Sequence, residues 1–336
     1  RGRRPSAGDL SIGTMHLYRR IATTSEEELG QAVPGASCQL VADSGPSFGG
    51  RFRYLVLDGV VLTRLEVDQA SVLTLSERTR DFSIWHIFSS HCSVNGNDID
   101  GDDLAMVRQG EGATMHSAAA ADVQSFALQP TLLVDASELD LPFRSSTAAR
   151  AGRWRVASSA ARHRFIAQHQ TILGQLDERP ELLENQATRT TLRNAVLEAV
   201  ARLGEAGTFR PDRASVGRHT RIMMRFEEVV EEASDEPLSM LEICRRAGTS
   251  RRLLESVVQL RTGKPPWEYL RWRRLWRARS LLSRPDEETS VTDVAFRLGF
   301  WHLGRFAAAY AATFGERPSQ TLARATGKID RPSRAA

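Results

Sequence analysis

The feature that most constrains this chain is a pattern that occurs twice in its last third. Each copy consists of a short helix with a Ser cap, a glycine, and a second, amphipathic helix. The first copy runs from Pro237 to Val258 and the second from Ser290 to Tyr310. The central glycines, Gly248 and Gly299, are 51 residues apart. Two such hairpins in one segment predict an all-α domain that is built on a repeat.

The residues inside each copy fit two helices that cross steeply. Such a crossing needs a small residue at the closest approach and a glycine beyond the first helix, where the chain adopts a positive φ. Cys244 and Ala295 meet the first need, and the two central glycines meet the second. A single glycine-ended helical hairpin is common, but two in register favour tandem helix-turn-helix units that bind DNA.

The segment between the copies predicts one long connecting helix from Pro265 to Leu282. A helix of this length is about 25 Å long, and successive major-groove faces of a duplex lie about 34 Å apart. The segment could therefore hold two helices at a fixed separation. Its arginines could contact phosphates, or they could only solvate the outer face of the helix; they are Arg271, Arg273, Arg274, Arg277 and Arg279.

Charge is distributed unevenly along the 336 residues. The net charge is only +4, but Leu238 to Ala336 contains 19 basic and 9 acidic residues, whereas the remainder contains 26 and 32. A basic C-terminal third suits a phosphate-backbone partner at one end of the molecule. Arginines that merely solvate surface helices would give the same count, so charge alone leaves both interpretations open.

The N-terminal part has the pattern of short β-strands. From Arg51 to Leu128, apolar residues alternate in short runs, with Asp-Gly at 58–59 and Asn-Gly at 95–96 as turns. This pattern predicts a small antiparallel barrel. We assign residues 1–20 to a disordered N-terminus and residues 21–160 to the barrel domain.

Helical periodicity begins after the predicted barrel. Two amphipathic stretches, separated by Pro180, predict a helical connector over residues 161–215 that ends in a linker from Thr208 to Ser215. This pair could pack within one subunit or form a dimer seam. The tandem helix-turn-helix domain is assigned to residues 216–325 and a disordered tail to residues 326–336.

The C-terminal residues resemble a known family. Gly299 to Phe306, followed by Tyr310, Phe314-Gly315 and Pro318-Ser319, resembles the C-terminal signature of the AraC/XylS family of bacterial regulators. The first unit matches too, through Ser250 to Arg252, Leu254, Gly263, Pro266, Tyr269-Leu270 and Arg274-Leu275. The match covers roughly residues 237–322. One departure is Val258, where an aromatic residue is usual.

This resemblance implies the fold and the partners. It implies that the second helix of each unit enters the major groove, that activation proceeds through RNA polymerase, and that an N-terminal domain binds an effector or dimerises. The barrel is similar to the cupin-like sensor of many members. Thr24 to Gly35 and the strands from Phe52 to Phe88 resemble the group containing the ethanolamine-operon regulator. We therefore expect a two-domain α+β protein: a cupin-like β-barrel with a helical connector, then two helix-turn-helix units joined by a long helix.

The outward residues of the two second helices are the expected DNA contacts. Arg can donate two bonds to guanine, Glu can accept from cytosine, and an apolar side chain can meet a thymine methyl. Arg251 could contact base or phosphate, Glu255 could instead pair with an Arg, and Ala308 could meet a thymine methyl or nothing. The candidates are Arg251, Arg252, Glu255, Ser256, His302, Gly304, Arg305 and Ala308 for bases, and Ser250, Arg271 and Arg274 for phosphates. Trp272 and Trp301 are expected in the core or against phosphates.

The predicted barrel supplies candidates for an effector site. Trp85 and Phe88 lie on its most apolar strand, and Arg53 and Tyr54 could act as polar anchors. An aromatic residue on a strand is more often part of the core.

Other functions fit the sequence less well. A cupin-type metalloenzyme would use His86, His91 and His116, but their spacing is not that of a metal site, so we expect no enzyme activity, metal or cofactor. A nonspecific architectural DNA-binding protein remains an alternative. The three cysteines show no C-x-x-C spacing and no apolar run could span a bilayer, so we expect a bacterial cytoplasmic protein on the nucleoid.

Overall fold

The computed structural model describes residues 17–23, 36–42, 48–77, 83–88, 92–99, 103–107, 112–128, 152–156, 159–211, 214–233 and 238–327. Within these residues a β-sheet region is followed by a helical region, as expected for an α+β protein. None of the described helices is both long enough and apolar enough to cross a membrane.

The described strands pair into two antiparallel sheets. The larger sheet has the order β1-β3-β4-β11-β6-β9-β12-β13, and the smaller has the order β2-β5-β10-β7-β8. The strands are β1 Leu17–Thr23, β2 Ala36–Ala42, β3 Gly50–Leu57, β4 Val60–Val67, β5 Ser71–Glu77, β6 Ser83–Phe88, β7 Cys92–Val94, β8 Asn97–Ile99, β9 Asp103–Val107, β10 Ala113–Ser117, β11 Ala121–Leu128, β12 Gly152–Val156 and β13 Gly207–Pro211.

Several strand predictions are confirmed and two segments differ. The Asp58-Gly59 and Asn95-Gly96 turns have positive φ at both residues, as two-residue hairpin turns require. The first half of the predicted linker, Thr208 to Pro211, lies in β13, which pairs with β12 at the edge of the larger sheet. Residues 17–20, expected to be disordered, belong to β1, which pairs with β3. Both segments lack strong periodicity, so only their strand partners reveal them.

The two sheets pack face to face around a shared apolar core. Phe52 and Val123 from the larger sheet and Leu73 and Met115 from the smaller sheet are among its buried residues. The described strand pairings do not close either sheet into a barrel. The predicted barrel is therefore observed as two open sheets.

Two helices cover the outer face of the larger sheet. They are α1 (Ser159–Glu178) and α2 (Gln186–Glu205), and a turn of 3-10 helix at Pro180–Glu184 joins them. Leu173 of α1 and Val200 of α2 are fully buried in a core that includes Leu62 and Phe126 of the sheet. The apolar sides of both helices are therefore covered within the subunit, which favours that alternative for the connector over a dimer seam.

The helical region contains both expected helix-turn-helix units. The Ser239, Ser250 and Ser290 hydroxyls accept hydrogen bonds from the backbone N–H groups three residues later, which fixes where three of the helices begin. The helices are α3 Ala214–Glu232, α4 Met240–Arg246, α5 Arg251–Thr262, α6 Pro266–Ser283, α7 Val291–Arg297, α8 Leu303–Phe314 and α9 Pro318–Ala325.

Helix α6 joins two separate helical cores. Its first half, with Tyr269 and Leu270, is buried with α3, α4 and α5. Its second half, with Leu275 and Ala278, is buried with α7 and α8. The ring of Trp276, between the two halves, packs against both cores. The two units are therefore held on one helix, as predicted.

A buried histidine lies between α1 and the larger sheet. His169 is 2% exposed, and its ring lies beside Phe165, with 6.0 Å between the ring centroids. Burial lowers the pKa of the His169 imidazole to about 4, because charging the ring would require it to lose its hydration. The unfolded chain, whose imidazole keeps a pKa of 6.5, then binds a proton before the folded chain does.

We predict that this imidazole makes the fold sensitive to acid. Its stabilising contribution is complete above pH 6.5 and is lost as the pH falls towards 4, at about 1.4 kcal/mol per pH unit. Between pH 7 and pH 5 the free energy of unfolding should fall by about 2 kcal/mol more in the unchanged protein than in His169→Gln. Denaturant unfolding at both pH values measures this. His163→Gln, on the exposed side of α1, should behave like the unchanged protein; an equal fall in His169→Gln would contradict the prediction.

Candidate nucleic-acid interface

The second helices of the two units, α5 and α8, are equivalent in length and in their ends. Each has 12 residues and ends at a left-handed glycine, Gly263 or Gly315. These two glycines are 52 residues apart, whereas Gly248 and Gly299 are 51 apart. The turn of the second unit is therefore one residue longer. When the two helices are aligned on their terminal glycines, Arg251 is equivalent to Leu303. An alignment on the central glycines alone would not give this equivalence.

Helix α5, the second helix of the first unit, has a buried side and a polar exposed side. Leu254, Val257 and Val258 are fully buried, so Val258 fills the position where the family usually has an aromatic residue. All four predicted base contacts on α5 are exposed: Arg251, Arg252, Glu255 and Ser256.

Ion pairs distinguish the arginines of the first unit. The Arg251 Nε donates to the Glu255 carboxylate at 2.9 Å, one helical turn away, so the pairing considered for Glu255 is observed. Glu242 accepts from both Arg245 and Arg246. Arg252 has no ion pair with any residue in the described part of the chain, which leaves its guanidinium available to a ligand.

The second unit also exposes its predicted contacts. Phe306 and Tyr310 are buried in the core, whereas His302, Gly304, Arg305 and Ala308 are exposed. Arg305, like Arg252, has no ion pair within the described residues. Trp301 is 72% exposed, so it does not belong to the core, whereas Trp272 does.

The predicted phosphate contacts differ in how they are held. Ser250 caps α5 by accepting from the Leu253 N–H at 3.3 Å, which leaves its O–H free to donate to a phosphate. Arg271 is exposed. Arg274 is half-buried, and burial lowers the pKa of its guanidinium; a phosphate beside it would compensate for the lost hydration.

Two arginines of the connecting helix are structural. Arg273 is buried against α3, where it pairs with Glu227 and Glu231. Glu227 also accepts from the Tyr269 hydroxyl at 2.9 Å, and burial raises the pKa of its carboxyl. Arg279 lies over the Phe314 ring at 4.8 Å. These two do not form the phosphate-contacting row that the sequence allowed.

The β-sheet region contacts the first unit from behind. A Cβ atom on Gly263, at the end of α5, would lie 3.1 Å from the His116 ring of β10. One on Gly96 would lie 2.7 Å from the Leu260 side chain. Gln39 of β2 also donates to Glu231 of α3 at 2.7 Å. These contacts hold the C-terminal end of α5 and leave its N-terminal arginines exposed.

The effector candidates do not form one site. Tyr54 is buried between the two sheets, but Arg53, on the opposite face of β3, pairs with Glu66 and Asp177. Consecutive strand residues point to opposite faces, so Arg53 is not an anchor inside the core. Trp85 and Phe88 lie on β6, which pairs with β9 and β11.

Comparisons with known proteins agree with this geometry. Residues 243–324 match the family model described as "Helix-turn-helix domain". The "XylDLEGF operon transcriptional activator 2" of Pseudomonas putida is 40% identical over 99 residues, which are 29% of this chain and 63% of that protein. The C-terminal third is an AraC/XylS-type helix-turn-helix domain.

Other relatives match the same AraC/XylS-type domain. The "XylDLEGF operon transcriptional activator 3" of Pseudomonas putida is 40% identical over 103 residues, or 30% of this chain and 31% of its own length. The "HTH-type transcriptional activator RhaS" of Klebsiella pneumoniae is 38% identical over 77 residues, which are 23% of this chain and 27% of that protein. The chain thus spans less than two thirds of the length of each of these relatives.

Solved structures are similar as well. An AraC-type transcriptional regulator from Chromobacterium violaceum is 28% identical and covers 32% of this chain and 95% of its own, with a TM-score of 0.30. The structure of the AraC-like transcriptional activator CuxR is 16% identical in sequence, and the match covers 77% of this chain and 95% of CuxR, with a TM-score of 0.38.

Neighbouring arginines of the connecting helix are predicted to respond differently to substitution. Arg273→Ala leaves Glu227 buried without its cation and should lower the free energy of unfolding by about 3 kcal/mol. Arg271→Ala, at an exposed position two residues earlier, should leave the free energy of unfolding unchanged. It should make the slope of log affinity for DNA against log salt concentration less steep by about the amount that one phosphate contact contributes. Denaturant unfolding and a salt titration of DNA affinity measure the two effects. Equal stability of both variants would refute the structural role of Arg273.

Proposed function

We propose that this protein is a sequence-specific DNA-binding transcription regulator, and specifically an activator. The observation that carries this proposal is that Arg252 and Arg305 lie exposed on the second helices of two equivalent units, with no carboxylate partner among the described residues. Relatives of the AraC/XylS-type domain are named as operon transcriptional activators, which supports activation. No catalytic step is part of this proposal.

The connecting helix supports simultaneous contact by both units. Helix α6 has 18 residues, so it is about 27 Å long, close to the distance of about 34 Å between successive major-groove faces. Because α6 is packed into both cores, the two second helices cannot separate freely. The units would therefore contact one face of a duplex in consecutive turns.

We propose RNA polymerase and a second copy of the chain as protein partners, in the bacterial cytoplasm on the nucleoid. The apolar sides of α1 and α2 are already covered, so a homodimer would use another surface. A metalloenzyme is the weaker candidate, since His116 lies beside Gly263 at the contact with the first unit. His91 lies outside the described residues.

Arg252 and Arg305 should contact base edges, and substitution should show it. Replacing either by Ala should cost about 1–3 kcal/mol of binding at one operator position, because the bidentate contact to guanine is lost. Binding selection from random duplexes, followed by affinity measurements on single-base variants, measures this. Arg202→Ala, on the distant helix α2, is the control. Equal losses on operator and random DNA would mean that the arginine contacts only phosphate, and no selected site at all would favour the architectural alternative.

We further propose that the two-sheet domain is a cupin-like effector domain. Its smaller sheet contacts α3 and α5 through Gln39 and His116, so a ligand that shifted this sheet would alter how the first unit is held. Tyr54 lies in the inter-sheet core and Phe88 pairs with Val123 of that core, so these two are the candidate lining residues. Trp85 pairs with Phe126, which is buried against α1 on the other face of the sheet, so it is not one of them.

A ligand of this domain should stabilise the full-length protein. We expect at least one compound among small amines, alcohols and aromatic acids to raise the unfolding temperature, because binding to the folded state alone stabilises it. Thermal unfolding with each compound measures this. The absence of any shift, together with a structure in which the inter-sheet core is completely filled, would refute the effector site.

A further inference from the structure

The exposed faces of the two second helices differ in chemistry. In the 52-residue register, Gly304 replaces Arg252 and Ala308 replaces Ser256, and both pairs of positions are exposed. The first unit thus presents hydrogen-bonding groups where the second presents none. Arg305 is the one charged side chain on α8, and it lies towards the edge of the exposed face rather than at its centre.

Large apolar side chains surround the start of α8. Trp301 is 72% exposed, Phe296 40% and Leu303 38%. The Phe296 and Trp301 rings stack, with 6.1 Å between centroids and 27° between planes, so they form a continuous surface. Exposed apolar side chains that adjoin in this way mark interaction surfaces more often than isolated ones.

The charge of this surface identifies its partner. Helix α8 contains no acidic residue, and Arg305 and Arg297 are both exposed beside the apolar side chains. A surface that is apolar and cationic suits a polyanion that also carries apolar groups. In the major groove the thymine C5-methyl is the apolar group that a base pair displays, so thymine-containing duplex DNA fits both properties.

We infer that the second unit recognises its half of the operator mainly by apolar contact with thymine methyl groups, whereas the first unit uses hydrogen bonds. The inference rests on the proposed DNA-binding function and deepens it. Leu303, Trp301 and Ala308 form the apolar contact, and Gly304 allows the helix to approach the base edges. Arg305 adds a hydrogen-bonding contact beside them.

The test uses the full-length protein and DNA without thymine methyl groups. A preferred duplex is first selected from a random library, and Arg252→Ala identifies the half that the first unit contacts. Deoxyuridine then replaces thymidine in one half at a time, which removes methyl groups without changing base pairing. In the half bound by the second unit, affinity should fall about fourfold for each contacted methyl group, the factor expected for one buried group of this size. In the other half it should not change.

Protein variants locate the contact on the helix. Ala308→Ser gives the second unit the residue that the first unit has at the equivalent position. It should reduce the difference in affinity between DNA with thymidine and DNA with deoxyuridine. Leu303→Ala should reduce it as well, because less apolar surface remains. Leu241→Ala is the matched control, since Leu241 is 81% exposed but lies on α4, outside the second helices. All three positions are exposed, so circular dichroism and thermal unfolding should match the unchanged protein.

The outcomes separate this inference from the function on which it rests. If a preferred duplex is selected but deoxyuridine leaves affinity unchanged in the half bound by the second unit, the inference is overturned and the apolar surface faces a protein instead. An equal loss in both halves overturns the assignment to the second unit. If no preferred duplex is selected, the proposed function itself fails, and the inference fails with it.

Discussion

The arrangement of the DNA-binding domain depends on the burial of one helix in two cores. Tyr269 and Leu270 of α6 complete the core of the first unit, and Leu275 and Ala278 complete that of the second. A helix is stiff over this length, so packing at both ends fixes the relative positions of the two units. Trp276, which packs against both cores, leaves no flexible joint between them. The spacing of the exposed arginines is therefore a property of core packing rather than of the exposed residues themselves.

The same helix connects the DNA-binding domain to the two sheets. Arg273 of α6 pairs with Glu227 and Glu231 of α3, and Glu231 also accepts from Gln39 of the smaller sheet. The DNA-binding domain and the two-sheet domain thus both contact the Glu231 carboxylate. Because Glu227 and Arg273 are buried, removing either charge leaves the other without compensation. A shift of the smaller sheet would therefore act on this group of charges through Gln39.

The sequence predicted those parts of the fold that rest on local rules. Serine caps, left-handed glycines and small residues at the helix crossing defined both units, since each depends on a few neighbouring residues. Strand β13 and the start of β1 were missed because their stability comes from distant partners rather than from periodicity. Arg53 and Tyr54 were grouped as one site although consecutive strand residues face opposite ways. The burial of Arg273 could not be foreseen, because Glu227 lies far from it in sequence.

The difference between the two units follows from the same distinction between local and distant constraints. Packing requires only that the buried side of each second helix match its core, and Leu254 and Phe306 satisfy this equally well in the two units. The exposed side is free of that requirement, so Arg252 and Gly304 can occupy equivalent positions without any change in the core. A repeat whose core is maintained and whose surface has diverged can contact two different sequences with one rigid body. That combination suits an asymmetric binding site better than a palindrome within a single subunit.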